Sequence, residues 1–241
     1  MIGGKNMLAY IVALCFGIFA MIMLSLTVGK EINYPVKPKV LIFLVGFTAA
    51  VIGLKVIGLL ENGYWGPSSF FGAHFFAPLG CMLACFLLEV PKTERNDIVD
   101  ISAPSLCIGL AAHKIACFIE GCCAGFVIRI TESGDEVRFP AQLVESGVAL
   151  LTMFFFCYLI KKKTQRGKIF YWYMIVYGVE RFLLTYLREP GHTILGLQDG
   201  QFWSVVSILI GAFLLYYQHL QAVNAEDKKA VIKTRRAHKA R

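Results

Sequence analysis

The sequence lacks the charge that a soluble protein of its length needs. Only 17% of its 241 residues are charged, whereas 57% are hydrophobic, and the mean hydropathy is +0.62. A soluble domain of this size cannot cover so much apolar surface with so few charges. The sequence also lacks an alternating strand pattern, and no small-residue cleavage site follows its first apolar run. The low charge excludes a soluble fold. The lack of a cleavage site argues against a cleaved signal peptide.

Long apolar runs are present instead, and they predict seven transmembrane helices. A run of about 20 residues crosses a hydrocarbon core, and a backbone in lipid must form its hydrogen bonds internally, which favours helices. The runs lie at about 7–29, 38–60, 70–90, 98–119, 141–160, 169–187 and 201–218. We therefore predict an all-α integral membrane protein, with a polytopic domain over 1–220 and a basic tail over 221–241.

The distribution of Lys and Arg predicts the orientation of these spans. Five such residues lie in the loop at 161–168 and seven in the last fourteen residues, whereas segments on the other side hold only Lys5, Arg129, Arg138 and Arg188. Basic loops remain cytoplasmic. The C-terminus is therefore predicted to be cytoplasmic and the N-terminus outside. For the tail, attraction to anionic lipid is favoured over binding to nucleic acid.

Polar residues within the predicted spans gather at their outer ends. Charges inside a membrane are costly and suggest a function. The halves predicted to be cytoplasmic hold almost nothing comparable. We therefore expect a polar cavity that opens toward the outer leaflet. The residues concerned are His74, His113, Lys114, Cys117, Glu120, Gln142, Glu145, Tyr177, Glu180, Arg181, Arg188 and Gln201.

Helical spacing in the sixth span predicts a cationic face. Tyr177, Arg181 and Arg188 are four and then seven residues apart, so a continuous helix would place them on one face. Two guanidinium groups there suit a phosphate or a lipid headgroup. The alternative is structural, with Arg181 paired to Glu145 or Glu180 and Arg188 lying at the interface.

The cysteines permit several interpretations. His113 precedes Cys117 by four residues, which is compatible with a Cys–His nucleophile or with a metal site that includes Cys122 and Cys123. The paired Cys-x-x-Cys spacing typical of zinc sites is lacking, and helix packing accounts for Cys117 alone. We predict neither a metal nor a cofactor. The segment 121–125, with a glycine at each end, suggests a tight turn or a re-entrant loop.

Several segments resemble the bacterial prolipoprotein diacylglyceryl transferases. Tyr-Gly-Val-Glu-Arg-Phe-Leu-Leu-Thr-Tyr-Leu-Arg-Glu-Pro (177–190) is similar to the family's tyrosine-glycine, arginine-phenylalanine and arginine-glutamate-proline pattern. Phe-Pro-Ala-Gln-Leu-Val-Glu (139–145) is similar to its proline-x-glutamine-leucine-x-glutamate segment, and Gly200-Gln201 to the opening of its last helix. Residues 118–125 fall where the central signature belongs. The similarity covers about residues 70–215.

The resemblance implies transfer of a diacylglyceryl group from phosphatidylglycerol to the lipobox cysteine of a prolipoprotein, at the outer leaflet of the bacterial cytoplasmic membrane. The implied partners are this phospholipid, a prolipoprotein signal peptide and the membrane, without nucleic acid. Arg181 would bind the phosphate, helped by Lys114 and Arg188. The catalytic set is Arg181, Lys114, Tyr177, His74 and Glu145, and the substrate-binding set is Gln142, Gly121, Gly125, Arg188, Cys117 and Gln201.

The chain departs from the family pattern in its central segment. Lys114 stands where the family has an arginine, Cys117 and Glu120 replace two asparagines, and Cys122 replaces an acidic residue. Phe71-Gly72-Ala73 replaces a histidine-glycine-glycine, with His74 three positions displaced. A Gly-Cys-Cys-x-Gly segment therefore indicates a divergent branch. The alternatives are a related enzyme that uses its cysteines covalently or takes another lipid or acceptor, and a noncatalytic lipid-binding or transport protein.

Overall fold

Eight α-helices make up most of the part of the chain that the computed structural model describes, namely residues 7–31, 35–65, 68–189 and 193–239. Each predicted span coincides with one of them, or with the pair α4 and α5. The helices are α1 (Met7–Val28), α2 (Val36–Asn62), α3 (Phe70–Leu87), α4 (Lys92–Asp100), α5 (Ser102–Glu120), α6 (Ala141–Lys161), α7 (Ile169–Leu184) and α8 (Asp199–Lys239).

Six stretches of these helices are long and apolar enough to cross a membrane. The helix α7 has only 16 residues, although a 3₁₀ turn over Thr185–Leu187 lengthens it. Seven spans and their orientation therefore remain predictions. Lys5 and Pro190 lie outside the described residues, and so do the side chains of residues 225–241 in the basic tail, whose backbone is helical as far as Lys239.

Two short hairpins correct the all-α prediction. The strands β1 (Val127–Ile130) and β2 (Glu136–Arg138) pair antiparallel, as do β3 (Thr193–Ile194) and β4 (Leu197–Gln198). The turn of the second hairpin consists of Leu195 and Gly196, both at positive φ, which matches the twist of a two-residue hairpin. These strands are too short to produce a recognisable alternation, so periodicity could not have revealed them.

Some helices pack against their neighbours in sequence, and α5 lies at the centre because it also contacts α1. The pairs α2 with α3 and α7 with α8 are in contact, and α5 lies against both α1 and α6. In an apolar 18-residue window of Lys92–Glu120, which contains α4 and α5, 67% of the residues are buried, compared with 22% in such a window of Asp199–Asn224 in α8. A Cβ atom on Gly53 or Gly72 would collide with the other glycine's backbone, so α2 and α3 can approach only because both lack a side chain.

Candidate active site

Three cationic side chains converge on one buried carboxylate. Glu145, in the first two turns of α6, is 4% exposed. Its Oε2 lies 2.6 Å from Lys114 Nζ, and its Oε1 lies 3.0 Å from Arg181 Nη1 and 2.7 Å from Arg188 Nε. The cations come from α5, α7 and the segment after α7. One negative charge in contact with three positive ones leaves a local surplus of cations.

This cluster forms one wall of a cavity of about 240 Å³. Other side chains of the wall come from α2, α3, α5, α7 and α8, so the cavity lies where these helices meet. Polar and apolar groups both line it, which suits a ligand with a charged head and a hydrocarbon part. Lining residues include Glu61, Ser69, Phe70, His113, Lys114, Cys123, Glu145, Tyr177, Glu180, Arg181, Arg188, Glu189, Asp199 and Gly200.

Several further carboxylates of the wall are engaged by other groups. Ser69 Oγ donates to Glu61 Oε1 at 2.7 Å, and Thr152 Oγ1 donates to Glu180 Oε1 at 2.5 Å. Glu189 pairs with Arg138 at 2.5 Å. Glu145 is thus the carboxylate that Lys114, Arg181 and Arg188 share. The ion pair between Arg181 and Glu145, proposed above as a purely structural alternative, is present. It belongs, however, to a cluster that faces a cavity.

Backbone contacts, rather than helical spacing, position Arg188. The residue has extended backbone angles (φ −102°, ψ 159°), so it does not continue the face of α7, and the prediction of one shared helical face is wrong for it. An isolated bridge instead pairs it with Gly125. A Cβ atom on Gly125 would lie 2.5 Å from Leu187 O and 2.9 Å from Phe139 O. Only glycine permits this approach, so Gly125 has a structural role here, and its role in substrate binding stays a prediction.

The end of α5 brings three sulfur atoms together. Gly121 adopts φ +76°, its N–H binds Phe118 O, and the N–H of Cys122 binds Cys117 O at 3.0 Å. This is a Schellman motif, which brings the side chain of Cys122 beside that of Cys117. Cys123 follows at φ +59°. The sulfurs of Cys117, Cys122 and Cys123 all lie within 4.8 Å of one another.

The two loop cysteines differ in their electrostatic surroundings. A hydrogen bond from the Cys117 thiol lowers the pKa of the Cys123 thiol, and the positive charges of Lys114 and Arg188 add to this effect. Partial burial and the neighbouring Cys123 raise the pKa of the Cys122 thiol. Cys123 is the cysteine of the three that lines the cavity.

Some of the remaining predicted site residues line the cavity, and others hold the segments that surround it. Tyr177 lines the cavity. Gln142 Nε2 donates to Cys122 O at 2.6 Å and so holds the loop, while Gln201 Oε1 accepts from the N–H of Gln198 at 3.2 Å. Gly200 lies against Thr185 and Arg181, because a Cβ atom there would be 2.6 Å from Thr185 Oγ1 and 3.5 Å from Arg181 Nε. Tyr177 and Gly200 therefore belong to the cavity wall, whereas Gln142 and Gln201 support the segments around it.

His74 does not reach the cavity wall described above. It is completely buried among aromatic rings, 4.9 Å from the Tyr177 ring centroid. Its Nε2 lies 2.7 Å from Ser207 Oγ, which itself donates to Met174 O, so Nε2 carries the proton that is donated to Ser207. The predicted catalytic role of His74 remains untested, and its surroundings are those of a core residue.

Two polar features were missed by the sequence reasoning. Glu61, at the end of α2, lines the cavity, and its position at a helix end predicted to lie outside was the signal that could have identified it. Asp100 lies at an end predicted to be cytoplasmic, where almost no polar group was expected. Its oxygens accept the N–H groups of Gly167 at 2.7 Å and Phe170 at 2.9 Å. The expectation that those halves are nearly free of polar groups is therefore wrong.

The fold and the site together define a helical membrane protein with three cationic side chains gathered around one buried carboxylate at the wall of an internal cavity. The family model of the prolipoprotein diacylglyceryl transferases matches residues 2–217. The chain belongs to this family, and the resemblance inferred from its motifs is confirmed.

Individual relatives support the same assignment. The chain is 26% identical over 190 residues to the phosphatidylglycerol–prolipoprotein diacylglyceryl transferase of Clostridium tetani, covering 73% of this chain and 72% of that protein. It is 31% identical over 160 residues to transferase 2 of Clostridium perfringens, covering 61% and 60%. It is 29% identical over 174 residues to the transferase of Aeromonas hydrophila, covering 66% and 64%.

Proposed function

We propose that this protein transfers a diacylglyceryl group from phosphatidylglycerol to the lipobox cysteine of prolipoproteins. The observation that carries the proposal is the convergence of Lys114, Arg181 and Arg188 on Glu145 at the cavity. Family membership and the names of the relatives supply the reaction. The cavity supplies a place where a phosphodiester could take up the surplus positive charge.

The reaction replaces a carbon–oxygen bond with a carbon–sulfur bond. The acceptor thiol loses its proton, its sulfur attacks the glycerol carbon that bears the phosphate ester, and glycerol phosphate leaves with the bonding electrons. Negative charge accumulates on the phosphate oxygens as this bond breaks. Fixed cations stabilise such charge most strongly in a site that excludes water.

The arginines are best placed for this role. The guanidinium of Arg181 is 3.0 Å from Glu145 and presents further N–H donors in a planar fork, which matches two phosphate oxygens. Lys114 lacks the fork but contributes a point charge. Glu145 acts as the common anchor that holds the three cations in place. Tyr177 forms part of the wall beside them.

The covalent alternative has a chemical difficulty. A protein cysteine that attacked the donor would acquire the diacylglyceryl group as a thioether. A thiolate is a poor leaving group from an alkyl carbon, so the acceptor could not displace it easily. Direct transfer to the acceptor therefore accounts for the reaction better than an intermediate on Cys117, Cys122 or Cys123.

The proposal includes a location. We place the protein in the bacterial cytoplasmic membrane with seven spans, the N-terminus outside and the cavity toward the outer leaflet. The basic loop at 161–168 supports this orientation, because such loops remain in the cytoplasm. The signal peptide of the prolipoprotein would then approach from the membrane, and no nucleic acid would take part.

The test is lipidation of a reporter prolipoprotein in a host depleted of its own transferase. We expect the wild-type chain to restore the mass increase of one diacylglyceryl group on the reporter cysteine. Arg181→Ala should reduce the rate on the order of 10²-fold or more, since it removes a donor to the developing charge. Arg181→Lys should retain part of the activity.

A matched control is Arg129→Ala, which removes an exposed arginine from β1. This variant should lipidate the reporter at the wild-type rate. Failure of the wild-type chain to lipidate, despite correct insertion into the membrane, would overturn the proposed reaction. If phosphatidylglycerol copurified with such an inactive chain, the noncatalytic lipid-binding alternative would replace it.

A further inference from the structure

Four metal-ligating side chains lie where α5 ends. The sulfur atoms of Cys117, Cys122 and Cys123 are all within 4.8 Å of one another. On the same helix, one turn before Cys117, His113 Nε2 lies 3.6 Å from Cys117 Sγ. Three thiols and one imidazole are a donor set that structural zinc sites use repeatedly.

We propose that His113, Cys117, Cys122 and Cys123 bind a soft, thiophilic metal ion, and that Zn²⁺ is the ion they match best. This inference goes beyond the lipid transfer and does not depend on it. Thiolate and imidazole ligands favour zinc or copper(I) over calcium and magnesium, which take oxygen ligands. The group therefore selects the class of metal by its chemistry.

The spacing of the three sulfurs and the His113–Cys117 distance are close to those of tetrahedral zinc, whereas the His113 imidazole lies outside the group within 4.8 Å and must turn toward Cys122 and Cys123. Bonds of about 2.3 Å to sulfur and about 2.0–2.1 Å to nitrogen at the tetrahedral angle place sulfur and nitrogen about 3.6 Å apart, and two sulfurs about 3.8 Å apart. The distance from His113 Nε2 to Cys117 Sγ is 3.6 Å. The sulfurs, within 4.8 Å of one another, need to approach by at most about 1 Å.

The fold supports this arrangement with backbone contacts. The Schellman motif at Gly121 sets Cys122 beside Cys117, and Gln142 Nε2 holds the carbonyl of Cys122 at 2.6 Å. Cys122 and Cys123 are exposed, whereas Cys117 is buried, so an ion can enter from the loop side. A bound ion would tie the end of α5 to the loop that reaches Arg188 through Gly125.

A disulfide accounts for fewer of these contacts. It would join two of the sulfurs and leave the third sulfur and the imidazole without a role. Metal binding uses all four groups. Three S–H bonds are replaced by three metal–sulfur bonds, three protons pass to solvent, and no electrons are transferred. The absence of Cys-x-x-Cys spacing is then explained by the helix end, which supplies the proximity that spacing usually provides.

The experiment is a metal titration of the full chain, purified in detergent under reducing conditions and stripped with a chelator. Zn²⁺ is added against a competing chromophoric chelator, and Co²⁺ serves as a spectroscopic probe. We expect about one tightly bound Zn²⁺ per chain and a thiolate-to-cobalt charge-transfer band. Cys122→Ser and Cys123→Ser should abolish both signals. His113→Cys should still bind zinc but shift the cobalt spectrum.

The control variant carries Cys15→Ser and Cys157→Ser, which remove cysteines far from α5's end in sequence, and it should bind like the wild type. Because Cys122 is exposed, its replacement should leave the helices intact, which circular dichroism checks. Absence of tight zinc binding in the reduced wild type would overturn the proposal. The proposal would also be overturned if Cys122→Ser bound zinc as tightly as the wild type, or if two of the three cysteines formed a disulfide under the reducing conditions of the titration. Lipidation by the wild-type chain is measured in parallel. If the chain binds zinc but does not lipidate the reporter, the result contradicts the proposed transferase activity and leaves the zinc proposal intact.

Discussion

Two buried clusters lie toward opposite ends of α5, and each is built around one carboxyl group. Asp100 lies two positions before α5 begins at Ser102, whereas Lys114 lies near the other end of the helix, about 20 Å along its axis. Asp100 accepts two backbone N–H groups, from Gly167 and Phe170. Glu145 instead contacts three cationic side chains that also face a cavity.

The comparison separates a structural cluster from a candidate functional one. The oxygens of Asp100 are satisfied by main-chain donors, so the cluster joins α4 to the start of α7 and needs no ligand. The Glu145 cluster holds more cations than its one carboxylate can neutralise. A buried ion pair by itself is weak evidence for stability or function. The proposed phosphate site rests on the surplus of cations around Glu145 at the cavity wall.

Removal of the charge of Glu145 should have the largest effect. In Glu145→Gln, Lys114, Arg181 and Arg188 would share one neutral amide in place of a carboxylate. We expect a loss of about 3–5 kcal/mol in the free energy of unfolding, because buried cations are left uncompensated. Lipidation should fall as well. Chemical denaturation in detergent measures the first effect, and an equally stable Glu145→Gln protein would contradict the charge account.

Asp100→Asn should destabilise the protein by less and leave its chemistry intact. One oxygen would become an NH₂ group that faces a backbone N–H, so one hydrogen bond is lost, at a cost of about 1–3 kcal/mol. The lipidation rate per folded molecule should equal that of the wild type. A large fall in this rate, measured at a temperature where both proteins are folded, would end the distinction between the two clusters.

Gly125→Ala tests whether backbone contacts position Arg188. The added Cβ atom would lie 2.5 Å from Leu187 O, so the loop and the segment after α7 must separate. A displacement of this kind should slow lipidation about 10- to 100-fold, with smaller effects on stability. The matched control is Gly147→Ala in α6, where the added atom has no neighbour within 4 Å and activity should be unchanged.

Arg138→Ala should have the smallest effect. Arg138 pairs with Glu136 and Glu189 at the surface, and exposed ion pairs contribute little because water screens them. We expect no measurable change in the midpoint of unfolding and a near-normal lipidation rate. A strong loss of activity would contradict this expectation. It would indicate that Glu189, once it has lost Arg138, pairs with the cations that are proposed to bind the phosphate.

The apolar runs predicted the helices well, because helix formation in a membrane depends on local composition. All seven predicted spans coincide with helices, and Arg181 and Tyr177 both line the cavity as their four-residue spacing suggested. The spacing argument failed for Arg188, since α7 ends at Leu184 and the chain becomes extended. The extended Arg188 pairs with Gly125, which lies 63 positions earlier, and no local pattern indicates this contact.

The cysteines and His74 both show that sequence spacing and residue type do not predict tertiary contacts. Sequence spacing gave no support to a metal site, yet the turn at Gly121 brings three sulfurs together. A glycine after an amphipathic run is a known signal for such a turn, so this proximity was within reach of the sequence. His74 appeared suitable for catalysis by residue type, but the rings of α3 and α7 enclose it.

The membrane-spanning class, the family and the residues that carry positive charge at one end of the helices can all be predicted from the sequence. These follow from composition and motifs, which are properties of short stretches of chain. Three findings instead required the folded structure: Lys114, Arg181 and Arg188 share Glu145, backbone N–H groups bind Asp100, and His74 is buried in the core. Each of these depends on contacts between distant segments, and such contacts are set by the packing of whole helices.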